Sequence, residues 1–117
     1  MTAAHGAGYE FKYRNGYRPV YNDEEITRKL EEVAREEFGD EAVVHLKPSM
    51  GGEDFSAFLQ KAPGSFFNVG AGNREKGIVY PHHHPRFDLD EDSFEIAVRM
   101  FVKSALKLLD VRVDNRR

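Results

Sequence analysis

Three consecutive histidines followed by a proline, His82 to Pro85, are the residues of this chain best suited to chemistry. Neutral imidazole is the commonest protein ligand for zinc, and it also binds nickel, cobalt and manganese. Side chains alternate in extended backbone, so three adjacent rings cannot all bind one ion. Pro85 restricts the backbone of His84, which makes the segment rigid. The pattern predicts one metal ligand with a second histidine beside it. The alternative is an exposed polar loop, because a single histidine without known co-ligands is weak evidence of a site.

A second segment with chemical potential is the run Gly51, Gly52, Glu53, Asp54 and Phe55. Paired glycines let backbone approach a ligand closely, and a carboxylate at the start of a helix can orient a donor or a histidine. The simpler interpretation is that Glu53 or Asp54 caps a short helix. Taken alone, this segment favours capping.

The acidic run from Asp88 to Asp92 is the third segment. It has no glycine and lacks the spacing of a calcium-binding EF-hand loop. Because it precedes a long amphipathic segment, we expect these acids to cap that helix and to interact with its dipole.

The elements that must position these segments follow from periodicity and from turn residues. Alternation predicts a strand over Tyr9 to Arg14, a short apolar run predicts a buried strand over Ala42 to Leu46, and a further strand is predicted over Ser65 to Gly70. Helical spacing predicts a helix from an Asn22 cap to Gly39, a short helix after Glu53 that ends at Pro63 and Gly64, and a long helix from Asp92 or Ser93. The predicted buried stripe of the long helix is Phe94, Ala97, Val98, Phe101, Ala105, Leu108 and Leu109. The expected fold class is therefore α/β, with helices layered on a small sheet.

Composition limits the classes of function. The 117 residues fit one small domain, and 17 basic against 20 acidic groups give a net charge of -3, which does not favour nucleic-acid binding. The short basic segment Arg112 to Arg117 is expected to be solvated. There is no cysteine, so neither disulfides nor thiolate metal ligands can form. Because no segment resembles a signal peptide or a membrane span, we expect a soluble, cytoplasmic protein that does not bind membranes.

Several segments occur in an order that resembles a known family. They are Asn15-Gly16-Tyr17-Arg18-Pro19, Asn22-Asp23, Met50 to Ser56, Pro63-Gly64 with Phe66-Phe67 and Gly70, and His83 to Glu91. Together they resemble the C-terminal part of the N-acyl-L-amino-acid amidohydrolases, the aminoacylase and hippurate hydrolase family of dinuclear metallopeptidases. The resemblance extends from about Ala4 to Leu109, and the order of five motifs makes it more specific than any one of them.

The resemblance implies a catalytic α/β domain into which a lid, or dimerisation, domain is inserted. Residues 1–17 would be the last strand of the lid, and residues 18–117 the C-terminal part of the catalytic domain. In the family, two divalent ions (zinc, manganese, cobalt or nickel) activate a water molecule that cleaves the amide bond. The first histidine of its His-x-Pro motif is a metal ligand, and here that position is His83, with His84 in the variable position. Gly51, Gly52, Glu53 and Asp54 would support the site from beside it, and no catalytic residue is assigned to this chain.

The departures from the family predict an incomplete enzyme. The family's upstream Cys/His ligand segment, its acidic pair and its middle histidine ligand have no counterpart here. We therefore expect a fragment that is inactive alone, whose partners would be an N-terminal half, an N-acyl amino acid substrate and a second copy in a homodimer. The first alternative is a non-catalytic α/β module that associates with itself or a partner through the exposed edge of Tyr9 to Arg14. The second is a small metal-binding protein that uses His82, His83 and His84.

Overall fold

Three α-helices are the main regular elements of the structure, a computed structural model that describes residues 2–109. Helix α1 spans Glu24–Phe38, α2 spans Ser56–Leu59 and α3 spans Asp92–Leu108. Single 3₁₀ turns lie at Thr2–His5 and Asp40–Ala42. The basic segment Arg112 to Arg117 is outside the described residues.

Helix α1 begins where local side-chain chemistry favours it. The carboxylate of the N-cap, Asp23, accepts a hydrogen bond of 3.0 Å from the backbone N–H of Ile26, and Gly39 ends the helix with a φ of 90°. The predicted helix is confirmed, although its cap lies one residue after Asn22. The amide of Asn22 instead bonds both backbone groups of Phe66, donating to its carbonyl and accepting from its N–H at 2.8 Å each. That pair ties the start of α1 to the extended segment 65–70.

Helices α1 and α3 pack through a narrow contact. Its buried apolar residues are Leu30 and Val33 of α1 and Met100 of α3. Beside them, the carboxylate of Glu37 pairs with Lys103 at 2.7 Å and with Arg99 at 2.8 Å. The two cations, Lys103 foremost, lower the pKa of Glu37. The helix pair is thus held by a small apolar contact and by ion pairs at its edge.

The buried stripe predicted for α3 is wrong. Phe94, Val98 and Phe101 are 54%, 61% and 70% exposed, and Ala105, Leu108 and Leu109 are also exposed; only Ala97 is half-buried. The buried residues of α3 are instead Ser93, Met100 and Ser104, whose spacing also follows one side of a helix. Periodicity predicted an apolar side of α3, but most of that side is not covered by another element.

The expected fold class, helices layered on a small sheet, is also wrong. Among residues 2–109 the only β-type pairing is an isolated antiparallel bridge between Asn73 and Ile78. No β-strand pairing is formed by the three predicted strands, Tyr9 to Arg14, Ala42 to Leu46 and Ser65 to Gly70. A strand exists only when a neighbouring backbone accepts and donates its hydrogen bonds, and these segments have no such neighbour within the described range.

The dimensions of the molecule agree with this open arrangement. The radius of gyration is 20.6 Å and the longest extent is 81 Å. A compact chain of this length would have a radius of about 13 Å. Most of its large apolar side chains therefore remain in solvent.

Candidate functional site

The histidine segment forms a tight β-turn in which His83 has an unusual backbone conformation. The N–H of His84 donates to the carbonyl of Pro81 at 3.2 Å, which closes the turn. His83, its third residue, has a φ of 65° and is the only non-glycine residue with positive φ in the part of the chain that the structure describes. Glycine or asparagine usually fills this position of such a turn, because a side chain there costs roughly 1–2 kcal/mol. The predicted metal ligand therefore lies at a strained position.

The ring of His84 is held by its neighbours. It stacks on Tyr80 with centroids 4.3 Å apart and an interplanar angle of 15°. Its Nδ1 accepts a hydrogen bond of 3.1 Å from the backbone N–H of Arg86, whose guanidinium lies 4.5 Å from the centre of the Tyr80 ring. An Nδ1 that accepts carries no proton, so the neutral ring has its proton on Nε2.

The ring of His82 also contacts an aromatic neighbour, whereas the ring of His83 makes fewer contacts. His82 meets the ring of Phe87 edge-on, with centroids 4.8 Å apart. The ring centroid of His83 lies 6.5 Å from that of His82, also in an edge-on arrangement, and the His83 side chain is exposed. Of the three imidazoles, His83 is the one that its neighbours engage least, so its nitrogens are accessible to an added ligand.

The Gly-Gly-Glu-Asp segment forms the turn before α2, but the predicted capping by Glu53 or Asp54 is wrong: the N-cap of α2 is Phe55, and no side chain bonds the helix's first N–H groups. The carboxylate of Glu53 accepts a hydrogen bond of 3.1 Å from the backbone N–H of Phe55, just before α2. The carbonyl of Asp54 accepts from the N–H of Ala57 at 2.9 Å. Neither Gly51 nor Gly52 adopts a positive φ. These contacts give the segment a structural role, and its support of a functional site stays a prediction.

The side chains of residues 2–109 that could bind a metal do not form a complete metal site. In residues 2–109, no group of three or more histidine, aspartate or glutamate side chains could hold an ion. Within that range, no hydrogen bond or ion pair joins the histidine turn to Glu53 or Asp54. A protein zinc site takes at least three protein ligands, so a divalent ion at His83 would require donors from outside this range.

The base of the histidine loop contains residues that the sequence analysis missed. Asp90 uses both carboxylate oxygens, accepting from the Asn73 amide at 2.6 Å and from the Lys76 ammonium at 2.6 Å. Lys76 also pairs with Asp92 at 2.8 Å. The Lys76 ammonium, and then the Asn73 amide, lower the pKa of Asp90 to about 2. We call Asn73, Lys76 and Asp90 the Asp90 clamp. The sequence predicts only capping for the acidic run, because nothing local indicates a partner 17 residues away.

One cavity among the described residues lies away from the histidine turn. It has a volume of about 330 Å³ and lies between α1 and the extended segments 42–46 and 65–68. His45 lines it and is largely exposed, and its Nδ1 lies 3.8 Å from a carboxylate oxygen of Glu31.

Within the described range, no helix is both long and apolar enough to cross a membrane.

Comparison with known proteins gives a family match over most of the chain. The model of peptidase family M20/M25/M40 matches residues 4–107. A putative amidohydrolase, YhaA, of Bacillus subtilis is 39% identical over 106 residues, which are 91% of this chain and 27% of that protein. Thermostable carboxypeptidase 2 of Saccharolobus solfataricus is 38% identical over 108 residues, 92% of this chain and 27% of its own length. N-acetylcysteine deacetylase of Bacillus subtilis is 34% identical over 110 residues, 94% of this chain and 27% of its own length.

The chain spans about a quarter of the length of these curated relatives, 27% in each case. No solved structure matches it.

Proposed function

The chain belongs to peptidase family M20/M25/M40, and from that premise we propose that it is the C-terminal part of a metal-dependent amidohydrolase that cleaves N-acyl amino acids. Relatives whose names include amidohydrolase and deacetylase support amide hydrolysis. Their greater length supports a division of the site, in which most of the catalytic groups belong to a segment that these 117 residues do not include.

The observation that carries the proposal is the conformation of His83. A left-handed histidine persists only where the surrounding structure enforces it, and such positions concentrate at ligand sites. The side chain of the same residue is exposed, and its one ring contact is the edge-on approach to His82. A strained and accessible imidazole in the motif that resembles the family's His-x-Pro ligand is suited to metal binding.

In this proposal His83 donates one imidazole nitrogen, and residues outside the described range complete the donor set. A bound divalent ion (zinc, manganese, cobalt or nickel, with two ions in the complete enzyme) would supply a water molecule with a pKa of about 7. Gly51, Gly52, Glu53 and Asp54 would support the site from beside it in the complete enzyme, and His84 holds the turn through its stacking on Tyr80. No proton transfer is assigned to a residue of this chain. A cytoplasmic location and a homodimer are further parts of the proposal.

A chimeric enzyme tests the role of His83. Residues 4–107 would replace the aligned segment of the Bacillus subtilis N-acetylcysteine deacetylase, and the release of acetate from N-acetylcysteine would be measured together with metal content. We expect an active chimera in which His83→Ala lowers both metal content and rate at least tenfold, because one ligand is lost.

His82→Ala is the matched control, since its ring contacts Phe87 and it is not assigned to metal. It should keep metal content and rate within about twofold. Normal metal content and rate in the His83→Ala chimera would refute the ligand assignment.

The isolated chain tests whether it is incomplete. The pure 117-residue protein, assayed on N-acetyl amino acids with each of the four metals, should show no turnover above that of the metal alone. Robust metal-dependent hydrolysis by this chain would contradict the proposed division of the site.

A second candidate function is association through the segment Tyr9 to Arg14. The side chains of Tyr9, Phe11 and Tyr13 alternate along it and are 79%, 76% and 77% exposed. An extended segment with unpaired N–H and C=O groups can add a strand from another chain. Sedimentation at several concentrations would detect this, and Phe11→Ser should weaken it. Val44→Ser, which changes a side chain that is 72% exposed in another segment, should not. A monomer at every concentration would argue against this candidate.

A further inference from the structure

The histidine turn belongs to a 20-residue loop whose two ends are joined. The N–H of Asp90 donates to the carbonyl of Ala71 at 2.8 Å, so residues 71 and 90 meet at the base. Closing a loop of this length costs conformational entropy, which the contacts at its base must offset. The Asp90 clamp supplies those contacts.

Asn73 links the clamp to the first part of the loop. Its backbone groups bond those of Ile78 in both directions, at 2.9 and 2.8 Å. Its side-chain oxygen accepts from the N–H groups of Glu75 and Lys76, while its side-chain nitrogen donates to Asp90. One asparagine side chain thus holds both a tight turn and the base of the loop.

Asp90 links the clamp to helix α3. Its carbonyl accepts from the N–H of Ser93 at 3.0 Å, and its carboxylate accepts from the N–H of Asp92 at 3.3 Å. The Asp90 side chain is only 12% exposed, whereas that of Asp92 is 84% exposed. Asp90 therefore closes the loop and also attaches it to α3, the longest of the three helices.

We propose that Asn73, Lys76 and Asp90 are positioning residues for His83, holding the loop that carries it in a fixed orientation to α3. This inference rests on the proposed function, since it gives His83 a task that requires a fixed place. Strain of roughly 1–2 kcal/mol at His83 would relax in a free loop, so the left-handed turn needs a closed base. The clamp is the charged and hydrogen-bonded group that closes it.

NMR spectroscopy of the 117-residue chain tests the clamp directly. Two signals report the loop: the ring-current shift that Tyr80 imposes on the His84 ring protons, and the strong intraresidue amide–Hα contact of a residue with positive φ at His83. We expect Asp90→Ala to remove most of both, and Lys76→Met to reduce them. Contacts between α1 and α3 should persist in both variants, because Leu30, Val33 and Met100 lie outside the clamp.

Asp88→Ala is the matched control, since that carboxylate belongs to the same acidic run and, within residues 2–109, bonds only the N–H of Leu89. It should leave both signals unchanged. Asp90→Asn keeps the shape and a carbonyl oxygen, and should restore part of what Asp90→Ala loses. Unchanged loop signals in Asp90→Ala, or equal losses in Asp88→Ala, would overturn the clamp.

The chimeric enzyme separates this inference from the proposed function. Asp90→Ala should lower metal affinity about 10- to 100-fold, as removal of a group that orients a ligand does, with Asp88→Ala unchanged. If His83→Ala loses metal and Asp90→Ala does not, the positioning role fails and the ligand role stands. If His83→Ala keeps metal while Asp90→Ala still removes the NMR signals, the proposed function fails, and the clamp remains as a structural element without a positioning role.

Discussion

Replacing His83 with glycine should leave the protein more stable than replacing it with alanine, although both changes remove the proposed ligand. A φ of 65° costs a residue with a side chain roughly 1–2 kcal/mol, and glycine does not incur that cost. Glycine loses about 0.5–1 kcal/mol more than alanine through its freedom in the unfolded chain. The difference predicts that His83→Gly is more stable than His83→Ala by about 0.5–1 kcal/mol.

The matched pair at His82 should give the opposite sign. His82 has no positive φ, so only the entropic term applies, and His82→Gly should be less stable than His82→Ala by about 0.5–1 kcal/mol. Urea unfolding, followed by the helical circular dichroism of α1 and α3, measures all four variants. A difference of this size also shifts the melting temperature by a few degrees.

The sign of the stability difference between His83→Gly and His83→Ala decides the outcome. If His83→Gly is less stable than His83→Ala by the same amount as at His82, the left-handed conformation carries no strain, and the physical support for a functional His83 disappears. Both His83 variants lack the imidazole, so a metal assay in the chimera should find them equally deficient. A glycine variant that retains metal would show that position 83 contributes no ligand.

Three further predictions concern the frame around the loop. Asp23→Ala should destabilise the protein by about 1 kcal/mol in urea unfolding, because the Ile26 N–H loses its cap, whereas Glu24→Ala should change it little. The pKa of Asp90 is lowered from 3.8 to about 2 by the Lys76 ammonium, so its contribution to loop closure should be complete above about pH 4 and be lost as the pH falls toward 2. An NMR titration of the Asn73 side-chain amide follows this, and a change centred near pH 4 would contradict it. Phe101→Ser should leave the free energy of unfolding within about 0.5 kcal/mol, because that ring is 70% exposed, and a loss of several kcal/mol would mean that α3 packs otherwise.

Helix α1 and the start of α3 could be predicted from sequence because their causes are local. A carboxylate three residues before the N–H that it caps, and a glycine that ends a helix, act within one turn of the chain. The order of motifs likewise placed the chain in its family, and the comparisons confirm that membership. The prediction of His83 as a metal ligand is a property of the motif and awaits the experiments described above.

Tertiary structure alone decided which side of α3 is covered, whether the extended segments pair, and what Asp90 binds. Periodicity locates an apolar face such as that of Phe94 and Phe101, but burial depends on which surface lies opposite, and the buried side of α3 carries Met100 and Ser104. Apolar alternation makes a segment suitable for a sheet, yet a strand forms only against a second backbone. The bond from Asn73 to Asp90 spans 17 residues, so no local pattern could have indicated it. Effects that act within one helical turn can be predicted from the sequence alone, whereas contacts between distant segments depend on how the whole chain packs.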